Sequence, residues 1–172
     1  FYTNAAARMT IDCDGAVTQP NLVWFAAYND TVRSDVTGDG TIALVCFNNE
    51  TAAPMCDPGG NFNGTCFIAP VAGVYAFHAT VKLSGLDSGH DYYYSYLNFT
   101  DGQYFNYGGP WQQSSQDSSD GAGILSLHHD FAAVYMDAAD IAMINVNILG
   151  SGQTVDIAAG NYSTYFQGHL VG

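Results

Sequence analysis

The chain has 172 residues, of which 48% are hydrophobic and 11% charged, so it can bury one sizeable core and is not a disordered tail. Its formal net charge is −13, from 16 acidic and three basic residues, which argues against binding to nucleic acid or to an anionic membrane surface. Glu, Lys and Arg, which usually cover helix surfaces, are scarce, whereas Gly, Tyr and Phe abound, so an all-β fold is predicted. No apolar run reaches the roughly 18 residues of a membrane span, and no membrane insertion is expected.

Residues 1–20 differ from the rest of the chain. They are small and polar and end at Pro20. We expect a linker or an edge strand here, followed by one domain over 21–172. Because the chain begins with Phe1, it is expected to be a piece of a longer protein.

From Asn21 onward, strand patterns recur about every ten residues, which is the spacing of a β-sandwich. The predicted strands are 22–28, 41–47, 65–69, 72–83, 92–99, 103–107, 122–129, 132–136, 141–149, 153–158 and 162–171. The segment 130–140 could instead form a short helix, because it is rich in Ala.

Three strands carry patterns that specify their faces. Residues 74–83 are apolar at nearly every position, which predicts a central strand covered on both faces. In 141–149 the apolar residues alternate with Asn145 and Asn147, which therefore share the opposite face. In 92–96 three tyrosines share one face, and Tyr93 and Ser95 share the other.

Two phrases carry a family resemblance. Residues 67–77 read Phe-x-x-Pro-x-x-Gly-x-Tyr-x-Phe, and residues 165–170 read Tyr-Phe-x-Gly-x-Leu. Together they resemble the globular head of complement component 1q and its relatives in the tumour necrosis factor superfamily. The resemblance implies a jelly-roll β-sandwich that assembles as a homotrimer and binds a partner rather than catalysing a reaction. It also implies that Tyr75, Phe77 and Phe166 pack in the sandwich core or along the trimer axis.

Two further phrases resemble virion proteins. Residues 8–15 contain Arg-Met-x-Ile-Asp-x-x-Gly, similar to a linker phrase of phage tail fibres. Residues 36–41, Val-Thr-Gly-Asp-Gly-Thr, are similar to a phrase in virion-associated members of the head family. The resemblance implies a head at a fibre tip on the virion surface that binds a host receptor. The alternatives are a secreted signalling or pattern-recognition head that binds a protein receptor, and a structural trimerisation or capsid-decorating knob.

The region between 90 and 113 is the predicted receptor site. It combines aromatic rings with amide side chains, which suits a glycan receptor because rings pack on sugar C–H groups and amides bind hydroxyls. The alternative is that these rings pack the core or a subunit interface. The candidate receptor-binding residues are His90, Tyr104, Tyr107, Trp111, Gln112 and Gln113.

The segment 35–41 resembles a calcium loop in its alternating oxygen-bearing residues and its glycines. Position twelve of such a loop would be Cys46 rather than Glu, so an EF-hand is excluded. An Asp-Gly β-turn is the simpler interpretation. No cofactor is required, and Asp35 and Asp39 remain the candidates if calcium binds.

The four cysteines lack the close spacing of a zinc site. Cys56 and Cys66 flank a Gly- and Asn-rich loop and form the most plausible disulfide, although free thiols are an equal alternative. The five histidines are scattered. His128 and His129 should point to opposite faces of a strand, and His78 is expected to be hydrogen-bonded in the core or at an interface. No arrangement typical of a catalytic site is present, so an enzyme is not predicted.

Overall fold

A computed structural model describes residues 9–15, 22–50, 55–90, 92–100, 123–150 and 152–172, without the side chains at 99 and 132. It also describes the backbone of short strands at 2–3, 6–7, 17–18 and 104–106. All regular secondary structure in these parts of the chain is β, which confirms the predicted class. No helix within these parts is long and apolar enough to cross a membrane.

The strands before residue 20 form two small hairpins. Strand β1 (Tyr2–Thr3) pairs with β2 (Ala6–Ala7), and β3 (Thr10–Ile11) pairs with β4 (Val17–Thr18). The division of the chain at residue 20 remains a prediction.

The other eleven strands build two antiparallel sheets. In chain order they are β5 (Trp24–Tyr28), β6 (Arg33–Thr37), β7 (Ile42–Leu44), β8 (Cys66–Ile68), β9 (Gly73–Leu86), β10 (Tyr92–Phe99), β11 (Tyr104–Asn106), β12 (Gly123–Met136), β13 (Ile141–Leu149), β14 (Val155–Ile157) and β15 (Tyr165–Leu170). The six-stranded sheet has the order β5-β15-β9-β14-β6, with β12 also paired to β9. The five-stranded sheet has the order β11-β10-β13-β7, with β8 also paired to β13.

The core lies between the sheets and follows the alternation of the sequence. On β13, Ala142, Ile144, Val146 and Ile148 are all buried, as predicted. On β9, every second residue from Tyr75 to Leu83 is buried in the core. On the other face Val74, Ala76, His78 and Lys82 are only half-buried, although Thr80 is buried. Within one chain β9 is therefore covered on one face and not on both, which corrects the expectation for this strand.

Aromatic rings fill one end of the core. Phe25 stacks on Phe62 and Phe67 with ring centroids 4.9 and 5.0 Å apart, and it meets the edge of Phe166 at 4.9 Å. Gly168 of β15 faces this cluster. A Cβ atom at this position would lie 2.9 Å from the Phe25 ring and closer still to Phe77. The glycine of the closing phrase is therefore required because two rings occupy the space of a side chain.

Two strand predictions differ from the structure. The predicted strands 122–129 and 132–136 are one strand, β12, with a register shift between Phe131 and Val134, and the alternative helix over 130–140 is absent. Strand β6 was not predicted, because Arg-Ser-Asp-Val-Thr lacks an apolar alternation.

Candidate binding surfaces

The outer face of the six-stranded sheet is concave. An open cavity of about 670 Å³ lies over β5, β9, β12 and β15. Its lining combines aromatic and apolar residues with four polar ones, His78, Asp130, Gln167 and His169. The outward-facing lining residues are Trp24, Ala26, Ala76, His78, Asp130, Gln167 and His169. We call these residues the concave face.

A hydrogen-bonded chain crosses the concave face. Nδ1 of His78 contacts the carboxylate of Asp130, and Nε2 lies 2.8 Å from the hydroxyl of Tyr165. The carboxylate of Asp130 accepts a hydrogen bond from Nδ1–H of His78. In the neutral imidazole, Nε2 then accepts a hydrogen bond from the hydroxyl of Tyr165. This chain fixes the His78 ring across three strands. His78 is thus a hydrogen-bonded histidine on a sheet face, and not a core residue within the single chain.

The outer face of the five-stranded sheet has a different composition. Residues directly opposite each other on antiparallel strands share a face, and the register pairs Tyr92 with Leu149, Tyr94 with Asn147 and Tyr96 with Asn145. Asn145 and Asn147 also pair with Leu44 and Ile42 of β7. We call the set formed by Tyr92, Tyr94, Tyr96, Met143, Asn145, Asn147, Leu149, Ile42 and Leu44 the tyrosine-amide face. The sequence predicted that Tyr92, Tyr94 and Tyr96 face one side of β10 and that Tyr93 and Ser95 face the other. This is confirmed, since Tyr93 and Ser95 are buried in the core.

The proposed receptor site is only partly within the described residues. Tyr107, Trp111, Gln112 and Gln113 lie outside them. The backbone of Tyr104 pairs with Asn98 at the β11 edge of the five-stranded sheet. These positions therefore remain predictions.

His90 is a correction to the predicted receptor site. It is 1% exposed, and its Nδ1 accepts the backbone N–H of Asp87 at 3.0 Å. The Nε2–H then donates to the carbonyl of Gly152 at 3.3 Å. The ring therefore closes the turn between β9 and β10 from inside, where no receptor reaches it.

The two calcium candidates are exposed: Asp39 lies in the turn that follows β6, and Asp35 belongs to β6 itself. The carboxylate of Asp39 accepts the backbone N–H of Thr41 at 2.9 Å, and hydrogen bonds from the Thr41 side chain and backbone lower the pKa of Asp39. Asp35 has φ = 56° and donates its own N–H to Asp156. Within the described ranges, no three His, Cys, Asp or Glu side chains are grouped as metal ligands would be. This geometry agrees with the turn interpretation of the segment.

Cys56 and Cys66 are free thiols, so the expected disulfide is absent. Cys56 forms a β-bridge with Ala26, next to the six-stranded sheet. Cys66 belongs to β8 and pairs with Met143 in the five-stranded sheet. The two residues therefore pair with strands of different sheets.

The pKa values of a buried histidine and a partly buried glutamate are shifted. His129 is 2% exposed beside Phe131, and burial lowers its pKa to about 4, with the nearby His128 adding to the effect. His128 is exposed, so the predicted opposite orientation of this pair is confirmed. Burial and the charge of Asp57 raise the pKa of Glu50.

Sequence reasoning missed the concave face. Trp24 with Ala26, and Gln167 with His169, alternate with core residues along their strands, and this period-two pattern was the available signal. What the pattern could not show is that β5 and β15 are neighbours, since the two strands lie at opposite ends of the chain.

The architecture defines a jelly-roll β-sandwich of the tumour necrosis factor type. Among solved structures, it is similar to murine APRIL, a member of the tumour necrosis factor family, with a TM-score of 0.53 and 9% sequence identity. The similarity covers 87% of this chain and 98% of the APRIL chain. No protein-family model and no curated protein sequence matches the chain. At this identity the likeness establishes the fold alone.

Proposed function

We propose that this chain is the head of a virion fibre, which assembles as a homotrimer and binds a receptor on the host surface. The tumour necrosis factor-like fold supports a binding head, and the phrases at 8–15 and 36–41 support the fibre. Its place would be the tip of a phage tail or head fibre, exposed on the virion.

The composition of the concave face is the observation that best supports a trimer. The chain has 16 acidic residues, yet among the described residues that line the cavity the only carboxylate is that of Asp130, which is hydrogen-bonded to His78. Trp24 and Ala76 present apolar surface around it. Interface centres are typically depleted of charge and enriched in aromatic residues, and this combination lets copies of a strongly acidic chain associate. A closed ring of three copies follows from the family resemblance.

A trimer explains how a small head could hold a host cell. Three identical sites on one rigid body bind a repetitive surface with an avidity that can exceed the single-site affinity by about 10²–10⁴. The receptor chemistry we favour is a glycan. A secreted head for a protein receptor and a structural knob without a ligand are the competing functions.

The assembly is tested by light scattering on the purified chain. The parent should have a mass near three times 18.4 kDa. Ala76→Glu adds a carboxylate to the concave face and should give a folded monomer, whereas Tyr162→Glu, at a loop position that is 88% exposed, should remain trimeric. A monomeric parent would remove the trimer from the proposal.

The fibre role is tested on virions. Antibodies against the head should label fibre tips in negative-stain electron microscopy, and the free head should block adsorption of the virions to host cells. Labelling of the capsid without any effect on adsorption would instead support the structural knob.

A further inference from the structure

We propose that the tyrosine-amide face is the receptor site and that its ligand is an uncharged carbohydrate. This inference rests on the proposed function and adds a location and a ligand class to it. The site consists of β10 and β13 and uses the side chains of Tyr92, Tyr94, Asn145 and Asn147.

The aromatic part of the site is a pair of stacked rings. Tyr92 and Tyr94 lie two residues apart on β10, with ring centroids 6.5 Å apart and an angle of 13° between the ring planes. Tyr92 is 47% exposed, so one side of the pair is open to solvent. Nearly parallel rings on a rigid strand offer a flat apolar surface. Because the two side chains are already ordered, little conformational entropy remains to be lost on binding. Such a surface suits the C–H face of a sugar ring.

The polar part of the site consists of two amide oxygens without partners. Asn145 is 9% exposed, and its Oδ1 accepts no hydrogen bond among the described residues. The Oδ1 of Asn147 is also unpartnered, although its Nδ2 donates to the carbonyl of Gly40 at 2.9 Å. A buried polar atom without a partner costs free energy, so a residue of this kind in a native sheet requires an explanation. Both oxygens are closed to solvent in this conformation, so the hydroxyl donors of a ligand would satisfy them once the neighbouring side chains move aside.

Charge decides between ligand classes. The chain carries −13, but the tyrosine-amide face consists of Tyr, Asn, Met, Leu and Ile and has no ionised side chain. Among the described residues of this face, no side chain pairs with an anionic sugar or phosphate, and none attracts a basic peptide. Rings for C–H groups together with acceptors for hydroxyls describe a neutral oligosaccharide.

The two sheets can therefore serve different purposes. The concave face belongs to the six-stranded sheet and the tyrosine-amide face to the five-stranded sheet, so they lie on opposite sides of the sandwich. Contacts between copies at the concave face leave the tyrosine-amide face of each copy uncovered. A trimer built in this way presents three such sites on its outer surface.

The test uses the whole purified head and an array of uncharged oligosaccharides made from hexoses and N-acetylhexosamines. The parent should bind at least one of them, and titration calorimetry with that sugar gives the affinity. Tyr92→Ala and Asn145→Leu should each weaken binding about tenfold or more, because they remove the stacking surface and an acceptor. Tyr162→Ala, at the exposed loop between β14 and β15, is the matched control and should bind like the parent.

Stability separates a ligand contact from a structural role. Asn145→Leu removes a buried acceptor that has no partner, so the variant should melt at the same temperature as the parent or higher while losing affinity. If Asn145→Leu fails to fold, the decision passes to the milder variants Tyr92→Phe and Asn147→Ala. Folded forms of these two that bind the sugar as well as the parent does would contradict the assignment.

Two results overturn the inference. One is a parent head that binds no uncharged oligosaccharide on the array, and the other is a parent whose sugar affinity is unchanged in Tyr92→Ala and Asn145→Leu. If these variants still adsorb to host cells as well as the parent does, the site is wrong and the fibre function stands. If the parent trimer itself does not adsorb, the proposed function fails.

Discussion

His129 should make the head sensitive to mild acid. Its ring lies in the core beside Phe131, 2% exposed, and neither ring nitrogen has a hydrogen-bond partner among the described residues. Protonation would place an unpaired charge in the core, and burial accordingly lowers the pKa from 6.5 to about 4. The unfolded chain binds this proton more readily than the folded chain does.

The sign and size of the effect follow from linkage. Between about pH 6.5 and 4 the unfolded state holds more protons on His129, so stability falls as the pH falls through this window. At pH 5 the loss relative to pH 7.5 is about 2 kcal/mol, and below pH 4 it approaches about 3 kcal/mol, because one pKa unit is worth roughly 1.4 kcal/mol. The carboxylates begin to titrate below pH 5, so the cleanest comparison is from pH 7.5 to 5.

The assay is denaturant unfolding at fixed protein concentration at pH 7.5, 6 and 5. His129→Leu should lose about 2 kcal/mol less than the parent over this range. The neighbouring His128→Gln, at an exposed position, should keep most of the parent's pH dependence, because burial is the main cause of the lowered His129 pKa and the charge of His128 only adds to it. An unchanged pH dependence in His129→Leu, or an imidazole NMR titration near pH 6.5 for His129, would refute the reasoning.

Two further predictions concern the core and the cysteines. Gly168→Ala should lower the free energy of unfolding by about 1–3 kcal/mol, because the added Cβ meets the rings of Phe25 and Phe77. In Gly152→Ala the added Cβ makes only ordinary contacts, so this variant should lose much less stability. Equal melting temperatures of the two variants would contradict this packing. Thiol labelling of the denatured, unreduced chain should detect four free thiols. Detection of only two would show that the chain contains a disulfide, such as one between Cys56 and Cys66.

The sequence predicts the centre of the fold better than its edges. Strands β10 and β13 have alternating patterns and β9 has a long apolar run, and each was placed within a few residues because long buried strands leave a clear hydrophobic pattern. Strand β6 pairs only with the three-residue β14, and its polar residues carry no such pattern. A strand at a sheet edge needs little apolar surface, so the hydrophobic pattern that identifies central strands is missing there.

The candidate site was harder to predict, because its residues meet through contacts distant in sequence. His90 precedes a run of tyrosines and has the composition of a surface site, but Gly152, 62 positions later, closes over its ring. Asn145 and Asn147 were correctly assigned to the face opposite the core of β13. Their position beside Tyr96 and Tyr94 depends on which strand pairs with β13, and local periodicity does not specify that.

The placement of the carboxylates ties the charge of the chain to its proposed assembly. Asp39 accepts the N–H of Thr41, Asp87 that of Gly89, and Asp140 that of Asp137. Aspartate favours such turns because its side chain imitates a backbone acceptor, so these acidic groups lie where the strands reverse. These three carboxylates therefore lie at turns and not on the concave face, where the one described carboxylate, that of Asp130, is hydrogen-bonded to His78. An acidic chain can then associate through a sheet face, and charge repulsion between copies should oppose the trimer much less than a net charge of −13 suggests.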